Sequence, residues 1–473
     1  MPDWTYLPLR HAAASVLGER RARRIALHSL ATLVGLPGGE RVARAFVHPL
    51  PSPDATRLGA VVGPDVVVDA ARALPVLGGR VVRSTAGAVG AAGPVGAQGL
   101  PAGSHRTVVV DDPDVARAAA ALAEPGVTVL ATSGVLAGAG PGWFQLVLEA
   151  ATPTRPPDGL VEAVRRGPRR WPAWLWGLVV GAGMVVAGLG AAVITLGPVL
   201  LPYDRAHLGA GTDDLLVVSP HLVGFVQHDR ITMAGTMVAI GILYGGLAWG
   251  GLRRGRRWAR TAYLLSGCGA FPTLLHYLVI GFFEPLHALT TVVLVPMYLA
   301  AVWQPPAQPR WTHRPDGPER DRLRAAAGQL LMVVTGFGLL VGGLVITVVG
   351  LTSVFVGTDL EFLGTDAASV AAANDRLVGF VAHDRAGFGG ALTGAATAIL
   401  LLAAWGWRRG ERWVWWCLAL GAVAGFGPTV AVHRAVGYTD LGHLAPVYLG
   451  IALTAVALWL SRPYLCARAG DVS

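Results

Sequence analysis

Eight stretches of this chain, near 173 to 200, 232 to 252, 259 to 282, 286 to 303, 328 to 352, 387 to 406, 413 to 436 and 443 to 461, are almost wholly apolar. A bilayer core of about 30 Å is crossed by about 20 helical residues rising 1.5 Å each. Lipid offers no partner to an open backbone, so runs of this length and composition must be helices that satisfy themselves. The remainder of the composition agrees. Only 14% of residues are charged against a usual figure of about 25% in soluble domains, and mean hydropathy is +0.52. The expected fold is a mostly α-helical polytopic membrane protein with eight spans, preceded by a small N-terminal α/β segment over residues 1–165.

All 38 basic residues are Arg, as high genomic GC content of an actinobacterial type would produce. A chain without Lys has no lysine Schiff base and no P-loop lysine. The net charge of +9 is not a nucleic-acid signal, because the Arg clusters flank the apolar runs, where they set topology. Arg165, Arg166, Arg169 and Arg170 precede the first span, and Arg253, Arg254, Arg256 and Arg257 follow the second. Arg310, Arg314, Arg320, Arg322 and Arg324 lie between the fourth and fifth, Arg408, Arg409 and Arg412 follow the sixth, and Arg462 and Arg468 follow the eighth. Positive loops stay inside, so both termini are expected in the cytoplasm and the protein in a bacterial inner membrane. No apolar run precedes Arg10, Arg20 and Arg21, so no cleaved signal peptide is expected. Cys268, Cys417 and Cys466 form no CxxC pair, and neither disulfides nor a thiolate metal site is indicated.

The membrane half repeats itself at a shift of 155 residues. LVGFVQHDR at 222–230 matches LVGFVAHDR at 377–385 at all positions but one, and RRGRRW at 253–258 matches RRGERW at 408–413. Asp204, Leu208 and Gly209 meet Asp359, Leu363 and Gly364 at the same shift. After a short gap His276 meets His433, Glu284 meets Asp440 and His287 meets His443. Such self-similarity marks a duplication, with modules at 171–304 and 325–463. Four spans per module is an even number, so both copies stand the same way up.

Within 1–165, TYLPLRHAAASVLGERRARRIALHSL at 5–30 reads as two amphipathic helices with an Arg-rich face. Strand-like runs at 57–63, 79–85, 107–112 and 127–134 alternate with helical DAARAL at 69–74, an Ala-rich helix at 113–123 and a helix near 142–150. The placement of Tyr6, Arg10, Leu17, Glu19 and Ala22, the loop LGAVVGPD at 58–65 and the stretch DPDVARAAAALAEPGVTVLATSGVLAGAGPGW at 112–143 together resemble the membrane-associated, quinone-dependent class of dihydroorotate dehydrogenase. The resemblance covers the two ends of that family's FMN-binding barrel and implies an opening helical hairpin at the membrane surface. The barrel itself needs eight βα units, about 250 residues, whereas only residues 85–104 separate the two matching ends. The family's paired glycines at the phosphate turn are replaced by Asp111 and Asp112, which repel a phosphate. Its supporting lysine has no counterpart here. The segment is therefore expected to keep an outline of that fold without its chemistry, and no bound FMN is expected.

Chemistry-bearing residues concentrate in the membrane modules. Each carries one HDR triplet, His228-Asp229-Arg230 and His383-Asp384-Arg385, at the outer mouth of its second span. A second His lies in the third span, His276 and His433, and a third opens the fourth span, His287 and His443, three residues after Glu284 or Asp440. Charge inside a bilayer costs roughly 2.5 to 3.5 kcal/mol per residue on the insertion scale, so these groups need partners or water. One reading has the acids capping helices or pairing with Arg230 and Arg385. The other has His228, Asp229, His276, Glu284 and His287, and again His383, Asp384, His433, Asp440 and His443, forming one outer-face pocket per module. Imidazole and carboxylate are ligands for a metal, and a haem between two His is the weaker option. Three classes of function follow: a membrane scaffold, sensor or metal-binding protein; a quinone-linked oxidoreductase of the dihydroorotate dehydrogenase type carrying FMN; and a small-solute transporter.

Overall fold

The computed structural model describes residues 2–48, 52–84, 106–152, 159–275, 282–303 and 317–468. Its first part opens with α1 (Leu7–Leu17), α2 (Glu19–Gly35) and α3 (Gly39–Val47). The first two are separated by Gly18, whose φ of 77° lies in the left-handed region that other residues avoid. The strands β1 (Leu58–Val62), β2 (Val81–Ser84), β3 (Arg106–Val110) and β4 (Val127–Thr132) form one parallel sheet in the order β2-β1-β4-β3. Helices α4 (Val67–Leu77), α5 (Val115–Ala123), α6 (Ser133–Ala139), α7 (Trp143–Ala151) and α8 (Leu160–Arg165) accompany it. Leu58, Ala60, Val129, Leu130 and Ala131 are all buried, as strands covered on both faces must be. Gly59 is required by the pairing itself: a Cβ there would stand 1.8 Å from the carbonyl oxygen of Val81.

Beyond Trp171 the chain is a bundle of long apolar helices. α9 (Ala173–Leu196) is followed by two short loop helices, α10 (Pro202–Leu208) and α11 (Thr212–Val218), and then by α12 (Leu222–Gly246) and α13 (Arg257–Ala270). α14 (Pro285–Trp303) and α15 (Glu319–Leu351) precede a second pair of loop helices, α16 (Gly357–Leu363) and α17 (Ala367–Ala373). α18 (Leu377–Gly406), α19 (Arg412–Val436) and α20 (Leu441–Leu465) complete the chain. Among the described residues seven helices are long and apolar enough to cross a membrane: α9, α12 with its extension to Arg254, α14, α15, α18, α19 and α20. The protein is thus a multi-pass membrane protein. The expected span at 259–282 is α13 and a 3-10 turn over Phe271–Leu275, and residues 276–281, His276 among them, lie outside the described residues.

α12 and α18 stand at the centre. α12 packs on α9, α18 and α19, while α18 packs on α15, α12 and α13. The helix after each HDR helix therefore crosses to the other half of the bundle. Small residues permit the closest of these approaches: a Cβ on Gly181 would lie 2.8 Å from the Gly241 carbonyl oxygen, and one on Gly241 would lie 2.6 Å from that of Gly181.

The Arg-rich turns gather at the end of the bundle that meets the sheet domain. Arg408 makes three bonds of 2.6 to 3.0 Å to the carboxylate of Glu149 on α7. Arg322 donates to the carbonyls of Gly138 and Ala139, and the Trp405 indole donates to Phe46 O at 2.6 Å. Arg254 and Arg256 share the Glu411 carboxylate. At the opposite end α10, α11, α16 and α17 form a cap, whose Leu208, Leu215, Leu363 and Val370 pack with Phe225 of α12, Phe380 of α18 and Phe282 in a separate apolar core.

Candidate metal centres

The cap covers the histidines. His228 sits in the second turn of α12 and His433 in the last turn of α19. His443 opens α20 directly after the turn that Gly437 makes at φ 82°. Because α19 crosses to α12, these three converge, with one ligand atom from each lying within 4.8 Å of the others. On the other side His383 of α18 meets Glu284 and His287 at the start of α14 within the same limit. The grouping expected from sequence, one pocket from each module's own residues, is therefore replaced by two pockets that each combine residues from both halves. The cause is the crossing of the helices, which no spacing in the sequence encodes.

In the first group every ring is held by Nδ1. His228 Nδ1 lies 2.5 Å from Phe225 O and His433 Nδ1 lies 2.7 Å from Thr429 O. A carbonyl can only accept, so both Nδ1 atoms carry the proton, which in a neutral ring leaves Nε2 as the lone pair; His228 Nε2 also stands 3.4 Å from Asp229 Oδ1. His443 Nδ1 lies 3.3 Å from the Tyr438 hydroxyl, which lies 2.9 Å from the Asp359 carboxylate. The shorter, charge-assisted bond takes the hydroxyl proton. Tyr438 then accepts from His443, whose Nε2 is also a bare lone pair. His433 Nε2 and His443 Nε2 stand 3.2 Å apart. Two lone pairs at that separation repel, and either a proton on one Nε2 or a metal ion between them relieves it. Ligands about 2.05 Å from a tetrahedral zinc are about 3.3 Å from each other, so the separation fits. It does not fit a haem, whose two axial ligands come from opposite faces of the iron.

The second group is built around a carboxylate. Glu284 Oε2 accepts the backbone N–H of His287 at 2.6 Å and lies 3.2 Å from His287 Nδ1, and its Oε1 accepts from the Tyr203 hydroxyl. Glu284, His287 and His383 are all buried, and the His287 and His383 rings are 4.9 Å apart. Asp440, at the position corresponding to Glu284, does less. It caps α20 by accepting the His443 N–H at 2.7 Å and stays outside the ligand set.

Between the two groups lies an ionic girdle. Arg230 bonds Asp384 at 2.7 Å, Asp204 at 3.1 Å and the carbonyl of Val199 at 2.8 Å. Arg385 bonds Asp229 at 3.3 Å, Asp359 at 2.5 Å and the carbonyl of Val354 at 2.8 Å. The HDR acids thus pair with the arginine of the other triplet and not with their own. Four carboxylates face two guanidiniums, which leaves a formal charge of −2 beside the imidazoles. Buried uncompensated charge is costly, and a cation offsets it. Burial alone would raise the Asp359 pKa, but Arg385, the Val356 N–H and Tyr438 hold it below the ordinary carboxylate value. Burial raises that of Tyr438, and the bond to Asp359 adds to it.

Sequence reasoning did not single out Tyr203 or Tyr438. Asp204 and Asp359 were visible as a repeated pair, and that recurrence was the signal that they belong with the HDR triplets. No family model matches this chain, and neither a curated protein nor a solved structure matches it.

Proposed function

We propose that this chain binds transition-metal ions at two centres near one face of the membrane, one of three imidazoles and one of two imidazoles and a carboxylate. The observation that carries the proposal is the convergence of three histidines, each with a partner at Nδ1 and with one ligand atom of each within 4.8 Å of the others. Anchoring one ring nitrogen so that the other can ligate is the usual support of a metal-bound His. Nitrogen and carboxylate donors suit zinc and its first-row neighbours. Three protein ligands leave a fourth position for water or an outside ligand, which suits sensing or handling of a metal or metal-bound solute.

The duplication supports the same picture. Val199 and Val354 both adopt positive φ, at 59° and 63°, and both offer their carbonyl to the Arg of an HDR triplet. In this reading eight spans form two four-helix modules whose third helices are exchanged. Both termini are cytoplasmic, and the centres open to the outer face of a bacterial cytoplasmic membrane. Reporter fusions at Gly255 and Thr212 should give opposite signals, and equal signals would refute the topology.

The N-terminal segment fits a degenerate dihydroorotate dehydrogenase-type barrel in one respect. The order β2-β1-β4-β3 is the order in which the first two and last two strands of a closed parallel barrel stand. Asp112, at the turn where such a barrel grips phosphate, instead binds the Asp114 N–H and Arg117, which supports a domain without FMN.

Metal titration of the purified full-length protein tests the main claim. Two equivalents of Co(II) or Zn(II) should bind, falling to one in His433→Ala and to one in Glu284→Ala. A stoichiometry of zero, or one unchanged by both substitutions, overturns it.

A further inference from the structure

The chain has six methionines, and three of them, Met184, Met233 and Met237, line a single small cavity of about 30 Å³. His287 lines the same cavity from α14. The space is about that of one water or one ion. The methionines come from two helices, Met184 from α9 and Met233 and Met237 from adjacent turns of α12. All three are buried.

A second cavity, of about 110 Å³, lies in the other half of the bundle. It is lined by Leu339, Phe388 and Leu392, which stand 155 residues after Met184, Met233 and Met237. Thr232 and Thr236 line this second cavity where Gly387 and Ala391 line the first. The packing problem at these positions is therefore solved by ordinary hydrocarbon side chains in one half and by thioethers in the other. Methionine is a flexible filler, but a filler does not explain why three of six gather around one imidazole while the corresponding positions need none.

We infer that the methionine cavity is a binding site for a soft monovalent cation, Cu(I), held by the thioether sulfurs of Met184, Met233 and Met237 with His287 as the nitrogen donor. Thioethers select Cu(I) over zinc and the harder divalent ions. Charge argues the same way. The lining carries no formal charge, with Tyr244, Thr290 and His287 its only polar side chains among the described residues, and a single positive charge costs far less to bury there than a double one. The carboxylate of Glu284 stands 3.2 Å from His287 Nδ1 and compensates that charge through the ring. No electron transfer is required, since the metal enters and leaves as Cu(I). The inference goes beyond the imidazole centres: it assigns a third site, of different softness, which shares His287 with the group of Glu284, His287 and His383.

The test is Cu(I) binding to the full-length protein in detergent or nanodiscs under reducing conditions, measured by competition with a chromogenic Cu(I) chelator. The comparison variant is Met184→Leu/Met233→Leu/Met237→Leu, a near-isosteric change that installs side chains of the kind the other half already uses. The wild type should bind one more Cu(I) per chain than the variant, and its copper X-ray absorption should contain sulfur scatterers that the variant lacks. Zn(II) stoichiometry should be the same in both, which shows that the variant is folded. Equal Cu(I) stoichiometry, or copper absorption with nitrogen and oxygen neighbours only, overturns the inference. Because the variant leaves His228, His433 and His443 untouched, failure here with zinc binding intact leaves the proposed imidazole centres standing. If zinc binding fails and the sulfur signal persists, only the methionine site survives.

Discussion

Each imidazole of the three-histidine group depends on one partner that orients it, and those partners differ in kind. For His228 and His433 the partner is a backbone carbonyl, which substitution cannot remove. For His443 it is the Tyr438 hydroxyl, itself held by Asp359 and, at 3.0 Å, by Thr358. Tyr438→Phe keeps the ring stacked on Phe362, 4.5 Å away, and deletes only the hydroxyl. Loss of an outer hydrogen bond to a metal-bound His typically costs 10- to 100-fold in affinity. Zinc affinity at this centre should fall by about that factor in Tyr438→Phe, with Glu284→Ala as background so that only one centre is read. An unchanged affinity would mean that Tyr438 packs without orienting. At this scale the sequence marked the polar residues of the membrane half and was uninformative about which of them meet. His228 and His383 stood out because polar groups inside apolar runs recur at a shift of 155 residues, and His287 and His443 because they recur after a short gap. That His228 faces His433 and His443 follows from helix crossing, which leaves no trace in periodicity. Tyr438 sits in a short turn, VGYTD, where nothing distinguishes it from any loop aromatic.

Helices in this bundle meet through glycine where the backbones approach most closely. Gly181 and Gly241 each stand against the other's carbonyl, and without water between them van der Waals contact and fit carry the association. Gly241→Val must push α9 and α12 apart. Such overpacking typically costs 1 to 3 kcal/mol. A clear drop in thermal stability is expected for Gly241→Val, whereas Gly190→Ala, whose Cβ would meet nothing within 4 Å, should be neutral. Equal stability of the two variants would show that the close crossing is not a constraint. The elements themselves were legible wherever an apolar run was long. Three of the four strands lie inside the runs marked by β-branched residues and β3 starts one residue earlier, at Arg106, and Gly18 divides two helices where the sequence places Leu17 and Glu19 on either side. α3 was missed because GERVARAFV is short and follows directly on a glycine pair. The loop helices α10, α11, α16 and α17 were missed because seven residues carry too little periodicity to stand out from a loop.

Taken whole, the molecule places its metal candidates at one end and its sheet domain at the other. The docking of that domain contains a pH-sensitive contact: His48 rests edge-on against Trp405, with ring centroids 4.5 Å apart. Burial, with the N-terminal amine and Arg408 adding to it, lowers the His48 pKa from 6.5 to about 4. The docked state therefore binds fewer protons than the undocked one between pH 6.5 and 4, so docking weakens as pH falls through that window and is fully present above it. Limited proteolysis of the N-terminal segment should accelerate between pH 7 and pH 4.5, and His48→Gln should flatten the dependence. A dependence that His48→Gln leaves intact would assign it to other groups. None of this coupling was visible in the sequence, because His48 and Trp405 are separated by most of the chain. The central claim, that the converging imidazoles hold a metal ion, is tested most directly by anomalous diffraction from crystals of the zinc-loaded full-length protein, recorded on both sides of the zinc edge. The account predicts an anomalous peak about 2 Å from the Nε2 atoms of His228, His433 and His443, and a second beside Glu284, His287 and His383. Zinc density found only at the Arg-rich end or on exposed acids, with none between the three imidazoles, would contradict it.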